Sequence, residues 1–223
     1  MPPEVYEVFE RWAGAPSLSA IEAFSSPLNH RIGAHPADPS FWFGSAFADV
    51  DAPFGGAGSF LSMDSRRLAG RQPALLLANP PFFADHMLST ERVLSRMLRA
   101  ADAIALVVVP ALAGRPHADA PHCAPLAASP LTRAAVSLRA GEHSFVSGVA
   151  HRRTRGFHHR RLSRHDTDVF VMSSARLAAA EVGRLCDGVR RAFGPPNAAR
   201  GRSSARRVAV STPPAGRRSA SVP

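Results

Sequence analysis

The sequence predicts an α/β fold with a mostly parallel sheet, and three observations lead there. Pro73-Ala74-Leu75-Leu76-Leu77-Ala78 is an apolar run long enough for a strand buried on both faces. Ile104-Ala105-Leu106-Val107-Val108-Val109-Pro110 is a second such run. Between them, residues 84–101 place Met87, Leu88, Leu94, Met97, Leu98 and Ala101 on one helical face. Strand, helix, strand at this spacing is a βαβ unit, which crosses over right-handed and pairs its strands in parallel.

The other elements follow in chain order. Val5, Val8, Phe9 and Trp12 recur at helical spacing and predict a helix over 4–13. Ala15-Pro16-Ser17 breaks it. Ser17 or Ser19 can cap a short second helix through Phe24, with Glu22 at capping-box distance from Ser19. Ser25 to Asn29 reads as a turn. Residues 33–60 read mostly as loop, anchored by Phe41, Phe43 and Phe47, and they include the glycine-rich stretch Phe54-Gly55-Gly56-Ala57-Gly58. Such a stretch can let a nucleotide approach the backbone, but with no clear strand before it and no clear helix after it a flexible surface turn is the favoured reading.

Beyond the second strand, residues 111–130 read as a loop over the site. Pro130 to Leu138 is an element of undecided type, and Phe145 opens a loop or strand. Val169-Phe170-Val171-Met172 is a further strand, and Ser174 is a candidate cap for a helix over about 175–193. The expected organisation is one domain over 1–193, followed by a disordered basic tail over 194–223.

Composition limits the partners. The chain has 223 residues, a net charge of +10 and no lysine. Residues 1–150 hold 11 arginines and 13 acids; residues 151–223 hold 16 arginines and 4 acids. A second half at +12 points to an anionic partner, most simply nucleic acid. Arg152, Arg153, Arg155, Arg160 and Arg161, with Arg164, sit between predicted strands and are the candidate RNA contacts. No run of 18 apolar residues suggests a membrane span, and the N-terminus lacks a signal-peptide core. Cys123 and Cys186 have no metal-ligand spacing, and the histidines lack a matching carboxylate or thiolate set, so no metal is expected. The reading is an intracellular protein.

Asn79-Pro80-Pro81-Phe82 is the stretch that suggests chemistry. Two prolines end the strand and hold the chain rigid and extended just past it, where ligands bind in open α/β sheets. The Asn79 amide oxygen and the Pro80 carbonyl can accept the two hydrogens of a planar exocyclic amine. That grip orients the nitrogen lone pair and favours the more tetrahedral transition state. Phe82 can stack on the ring carrying the amine. Asn-Pro-Pro-aromatic is a signature of methyltransferases that act on planar nitrogen with S-adenosylmethionine.

With these residues in order, the chain resembles the catalytic domain of the phosphorylated CTD-interacting factor family, cap-specific adenosine N6-methyltransferases of mRNA. The matching residues are Glu22 to Asn29, Ser45 to Asp51 with Phe54-Gly55, Ala78 to Phe82, Val109-Pro110, His143-Ser144-Phe145 with Gly148 and His151, and His165 to Phe170. The resemblance covers about residues 20–193. It implies a Rossmann-like methyltransferase fold, here in a compact or incomplete version, with S-adenosylmethionine as cofactor. The implied substrate is the N6 amine of a 2′-O-methyladenosine beside the cap of mRNA, and the implied compartment is the nucleus. Asn79, Pro80, Pro81 and Phe82 would be catalytic. Pro27, Asn29, Phe54, Gly55, Gly58 and Asp64 would line the cofactor pocket. No WW domain is read in the sequence, so docking to polymerase through one is not expected. The alternatives are methylation of DNA adenine or protein glutamine, or a silent relative that only binds RNA.

Overall fold

The apolar run ending at Ala78 is a strand with neighbours on both sides, as its unbroken hydrophobicity requires. In the computed structural model, residues 2, 4–13, 19–26, 41–68, 74–101, 103–111, 123–146, 160–174 and 177–195 are described. They form helices α1 (Glu4–Ala13), α2 (Ala48–Asp51), α3 (Ala84–Ala100), α4 (Ala124–Ala127) and α5 (Ala179–Phe193). The strands are β1 (Ser19–Glu22), β2 (Phe41–Phe43), β3 (Ala74–Ala78), β4 (Ala103–Pro110), β5 (Thr132–Leu138), β6 (Ser144–Val146), β7 (Arg160–Leu162) and β8 (Thr167–Ser173).

Six strands make one sheet in the order β2-β1-β3-β4-β8-β5, and β6 pairs with β7 separately. The pairings among β2, β1, β3 and β4 are parallel; those of β8 with β4 and with β5 are antiparallel. The β3–α3–β4 unit is as the sequence predicts. Its strands bury residues on both faces. Leu76, Ala78, Ala105 and Val107 pack with Met87, Leu94, Met97 and Leu98 of α3. Leu75, Leu77, Ile104 and Leu106 pack with Val5 and Phe9 of α1 and with Leu185, Val189 and Phe193 of α5. The architecture is thus a sheet with helices on both faces.

Four expectations are corrected. The short helix proposed from Ser19 is strand β1. Its four residues find parallel partners in β2 on one side and β3 on the other, and this pairing outweighs the capping-box spacing. The supposed loop over 33–60 contains strand β2, an edge strand of three aromatic residues. Leu88, placed on the apolar side of α3, is 37% exposed, whereas Val93 is buried there. Ser174 does not cap α5. Its hydroxyl donates to the Leu98 carbonyl at the end of α3, and α5 begins at Ala179, where Glu181 Oε2 accepts the Ala178 N–H at 2.8 Å. The two undecided stretches are also resolved: Thr132–Leu138 is β5 and Ser144–Val146 is β6. The predicted basic tail beyond residue 195 lies outside the described residues. Among the described residues, no helix is long and apolar enough to cross a membrane.

Candidate functional site

Strand order fixes where a ligand can sit. From β1 the chain moves outward to β2 and then returns to β3 on the other side of β1, so the order reverses between β1 and β3. At such a switch point the connections leave the carboxyl ends of the two strands in opposite directions and open a crevice. The carboxyl end of β1 is Glu22; that of β3 is Ala78, followed at once by Asn79. The two ends stay joined by the Ala23 N–H, which donates to the Leu77 carbonyl at 2.7 Å.

The Asn79–Phe82 stretch occupies one wall of this crevice. Asn79 is exposed, Pro80 is buried, and Pro81 and Phe82 are exposed, Phe82 by 49%. The buried Pro80 ring fixes the loop, and the amide of Asn79 remains free to meet a ligand. Phe83, 70% exposed, is the N-cap residue of α3, and its carbonyl accepts the Met87 N–H at 2.9 Å. His86 lies against the Phe83 ring with centroids 5.9 Å apart.

The other wall is built on β2. Gly44 N–H donates to the Glu22 carbonyl at 2.7 Å, and Ser25 N–H to the Gly44 carbonyl at 2.9 Å. A Cβ at Gly44 would meet the Ala23 oxygen at 2.2 Å, so only glycine lets the two segments approach this closely. The chain then loops out through α2 and returns beside β2, where Ala57 N–H reaches the Phe43 carbonyl at 2.8 Å and Ser45 N–H the Gly58 carbonyl at 2.9 Å. Gly55 and Gly58 make this return possible with φ of 89° and 82°, the left-handed region that side chains disfavour. Of the residues expected to form the cofactor pocket, Gly55 and Gly58 therefore shape this wall. Phe54 stands beside them, 54% exposed.

Asp64, expected to line the cofactor pocket, is exposed and held locally by Arg66. Its Oδ1 accepts the Arg66 N–H at 2.9 Å, and its Oδ2 pairs with the Arg66 guanidinium at 2.7 Å. These bonds to Arg66 hold its carboxyl below the usual carboxylate range. It also feels the charge of Arg96, which lies about 18 Å along α3 from the start of that helix. Pro27 and Asn29 lie outside the described residues, as do Arg152, Arg153 and Arg155.

Two acids at the crevice have no functional assignment from the sequence, Glu22 being read there as a capping-box residue. Asp51 is buried and accepts a hydrogen bond from Ser45 Oγ, which in turn accepts the Phe47 N–H at 3.1 Å. Glu22 is buried at the end of β1, and Ser25 Oγ donates to its Oε2 at 3.3 Å. A carboxylate at a strand end beside a switch point could have been sought had β1 been recognised as a strand.

Arg160 corrects an expectation. It was a candidate RNA contact, but its guanidinium is committed within the fold. Nε donates to Ser144 Oγ at 3.0 Å, Nη1 to Glu4 Oε1 at 3.0 Å, and Nη2 to the carbonyls of Ala192 and Gly194 at 2.6 and 3.0 Å. Both carbonyls lie at the end of α5, where intrahelical bonding stops; that of Gly194 also accepts Ser144 Oγ at 3.1 Å, and a guanidinium there complements the helix dipole. Arg161 beside it is exposed. His143 is likewise structural. Its Nδ1 donates to the Arg139 carbonyl at 2.7 Å, and Nε2 pairs with Thr167 Oγ1 at 2.9 Å.

The carboxyl ends of β1 and β3 and the turn Asn79–Phe82 together form the candidate site of this α/β protein. The chain belongs to the phosphorylated CTD interacting factor 1 family: residues 1–148 match the family model described as phosphorylated CTD interacting factor 1 WW domain. That description overturns the expectation that this chain has no WW domain and that docking through one is therefore excluded. The match takes in β1 to β6, including both crevice walls. No curated protein matches the chain.

Proposed function

We propose that this protein is an S-adenosylmethionine-dependent methyltransferase of Rossmann-like fold that methylates the N6 amine of adenosine in RNA, at the cap-adjacent position of mRNA. The observation that carries the reading is Asn79, exposed at the end of β3 on the switch-point crevice, with Pro80 buried behind it and Phe82 half-exposed beside it. Family membership supports the same class of activity.

The crevice has groups that suit the cofactor. The left-handed Gly55 and Gly58 shape a wall of backbone, and Glu22 and Asp51 supply carboxylate oxygens suited to hydroxyl or ammonium groups. When bound, S-adenosylmethionine supplies an electrophilic methyl on a sulfonium. The protein's own task is then positional. Asn79 Oδ1 and the Pro80 carbonyl would accept the two N6 hydrogens, aim the nitrogen lone pair, and bind the amine more tightly as it becomes tetrahedral. Phe82 would hold the adenine by stacking. The basic second half of the sequence would hold the RNA chain, and on this reading the protein works in the nucleus.

The test is transfer of labelled methyl from S-adenosylmethionine to four acceptors: capped RNA starting with 2′-O-methyladenosine, the same RNA uncapped, adenine-containing DNA, and a glutamine peptide. Methylation of the capped RNA above the others is expected. A preference for DNA or peptide would replace the substrate assignment. Absence of both transfer and cofactor binding by calorimetry would overturn the enzyme.

A further inference from the structure

One flank of α3 has charge that the crevice does not use and that acts within the fold only through the effect of Arg96 on Asp64. Ser89, Arg92, Arg96 and Arg99 follow one another at three, four and three residues, which places them in one stripe down the helix. All three arginines are exposed. Among the described residues none of them makes a hydrogen bond or an ion pair within 4 Å.

The neighbouring acids have other hydrogen-bond partners, although Glu91 itself lines the same cleft. Glu91 Oε1 accepts Ser95 Oγ at 2.6 Å and Ser129 Oγ at 2.7 Å, and Asp64 is held by Arg66 at 2.7 Å. The stripe runs along a cleft of about 590 Å³ whose other wall includes Leu61. Arg99, in the last turn, would be expected at a helix C-terminus on dipole grounds alone. Arg92, mid-helix, has no such reason to be there.

The position of the stripe suggests its occupant. α3 starts immediately after Phe82-Phe83, so Arg92 lies about 12 Å and Arg99 about 22 Å along the helix from the crevice wall. Along the axis the arginines rise by about 6 and then about 4.5 Å, a spacing comparable with successive phosphates on one nucleic-acid strand. The cleft is edged by the apolar Leu61 and Val93.

We propose that Arg92, Arg96 and Arg99 form a phosphate-binding track for the single-stranded RNA that continues from the nucleotide held at Phe82. This rests on the RNA reading given above. It adds the direction in which the strand leaves the site, down α3, an element distant in sequence from the basic segment at 151–164.

The experiment measures binding of end-labelled single-stranded RNA to the full chain by fluorescence anisotropy across a salt series. The variant is Arg92→Gln/Arg96→Gln/Arg99→Gln; glutamine keeps the helix propensity, and a thermal melt checks the fold. The control variant removes three exposed arginines elsewhere, Arg133→Gln/Arg184→Gln/Arg191→Gln. With a twelve-nucleotide RNA, the track variant should lose about 2 from the slope of log affinity against log salt, at about 0.7 per phosphate contact. Arg96→Gln alone should lose about a third of that. A two-nucleotide RNA, too short to reach the stripe, should bind the track variant and wild type alike, and cofactor binding by calorimetry should be unchanged.

An unchanged slope with the long RNA overturns the track and leaves a solvated helix face. An equal loss in the control variant also overturns it, since net charge alone would then explain the effect. A greater loss for duplex DNA than for the single strand would overturn the assignment to RNA. A changed slope in a protein that transfers no methyl would keep the track and defeat the enzymatic reading, so the two can fail separately.

Discussion

Arg160 Nη1 lies 3.0 Å from Glu4 Oε1, joining β7 to the first turn of α1 across 156 residues of sequence. The same guanidinium closes the end of α5, so a single side chain ties together the two helices that cover one face of the sheet. Glu4 is partly exposed, and water screens much of the ion pair. Most of the cost of removing Arg160 should therefore come from the Ala192 carbonyl, since the Gly194 carbonyl keeps Ser144 Oγ. Arg160→Met should destabilise the protein by about 2 kcal/mol in urea unfolding. It should leave the salt dependence of RNA binding unchanged. A lowered salt slope with unchanged stability would restore Arg160 as a phosphate contact.

Asn79 is exposed and follows the last residue of β3, so Asn79→Ala should leave the melting temperature within a degree or two of wild type. On the proposed mechanism it removes an acceptor whose bond strengthens in the transition state, and methyl transfer should fall roughly 100-fold. Phe82→Ala should weaken RNA use by about 1–3 kcal/mol while sparing cofactor affinity, and Phe82→Trp should retain activity. Turnover in a labelled-methyl assay, measured beside calorimetry with S-adenosylmethionine, separates these outcomes. Wild-type turnover in Asn79→Ala would remove Asn79 from the chemistry.

The sequence revealed the β3–α3–β4 unit because its apolar periodicity changes with each element, and because each element is long enough for the change to be read. β1 was hidden for the opposite reason. Ser-Ala-Ile-Glu is four residues long, and its serine and glutamate imitate a helix cap; only the neighbours on both sides make it a strand. β2 was hidden by its surroundings, three aromatic residues within a stretch rich in proline and glycine. One wall of the crevice was therefore legible and the other was not. Glu22 and Asp51 became candidates only once β1 and β2 were paired. The basic run was legible as charge, but charge alone could not show that Arg160 turns inward while Arg92, Arg96 and Arg99 face out.

Gly44 tests the unread wall. Its absent Cβ would stand 2.2 Å from the Ala23 carbonyl oxygen and 3.0 Å from Phe60 Cβ. The first contact is with backbone that cannot rotate away, so β1 and β2 would have to separate. Gly44→Ala should cost about 1–3 kcal/mol, the usual scale of overpacking. If the crevice holds the cofactor, affinity for S-adenosylmethionine should fall more than affinity for RNA, because the shift falls on the strand ends that frame it. Urea unfolding together with calorimetry reads both. Full stability would mean that the two segments tolerate a larger separation than the structure shows.

Cys123 gives a pH-dependent prediction. The side chain is fully buried, and burial, with the charge of Asp168 adding to it, pushes the thiol up to about 11 from an ordinary value of 9.0. The folded protein therefore keeps a proton that the unfolded chain gives up first. Below about pH 9 the thiol is protonated in both states and stability does not depend on it. Between about pH 9 and 11 the unfolded state loses the proton while the folded state retains it, so stability falls as pH rises. Cys186 is shifted in the same direction by burial and should add to the slope. Unfolding measured from pH 8 to 11 should show wild type losing stability faster than Cys123→Ala, so that the gap between them narrows with pH. The thiol should also resist iodoacetamide at pH 8 until the protein is unfolded, because the thiolate is the reactive form. Rapid alkylation of Cys123 in the native protein, or parallel pH profiles for the two proteins, would show that the thiol is not held protonated by its surroundings.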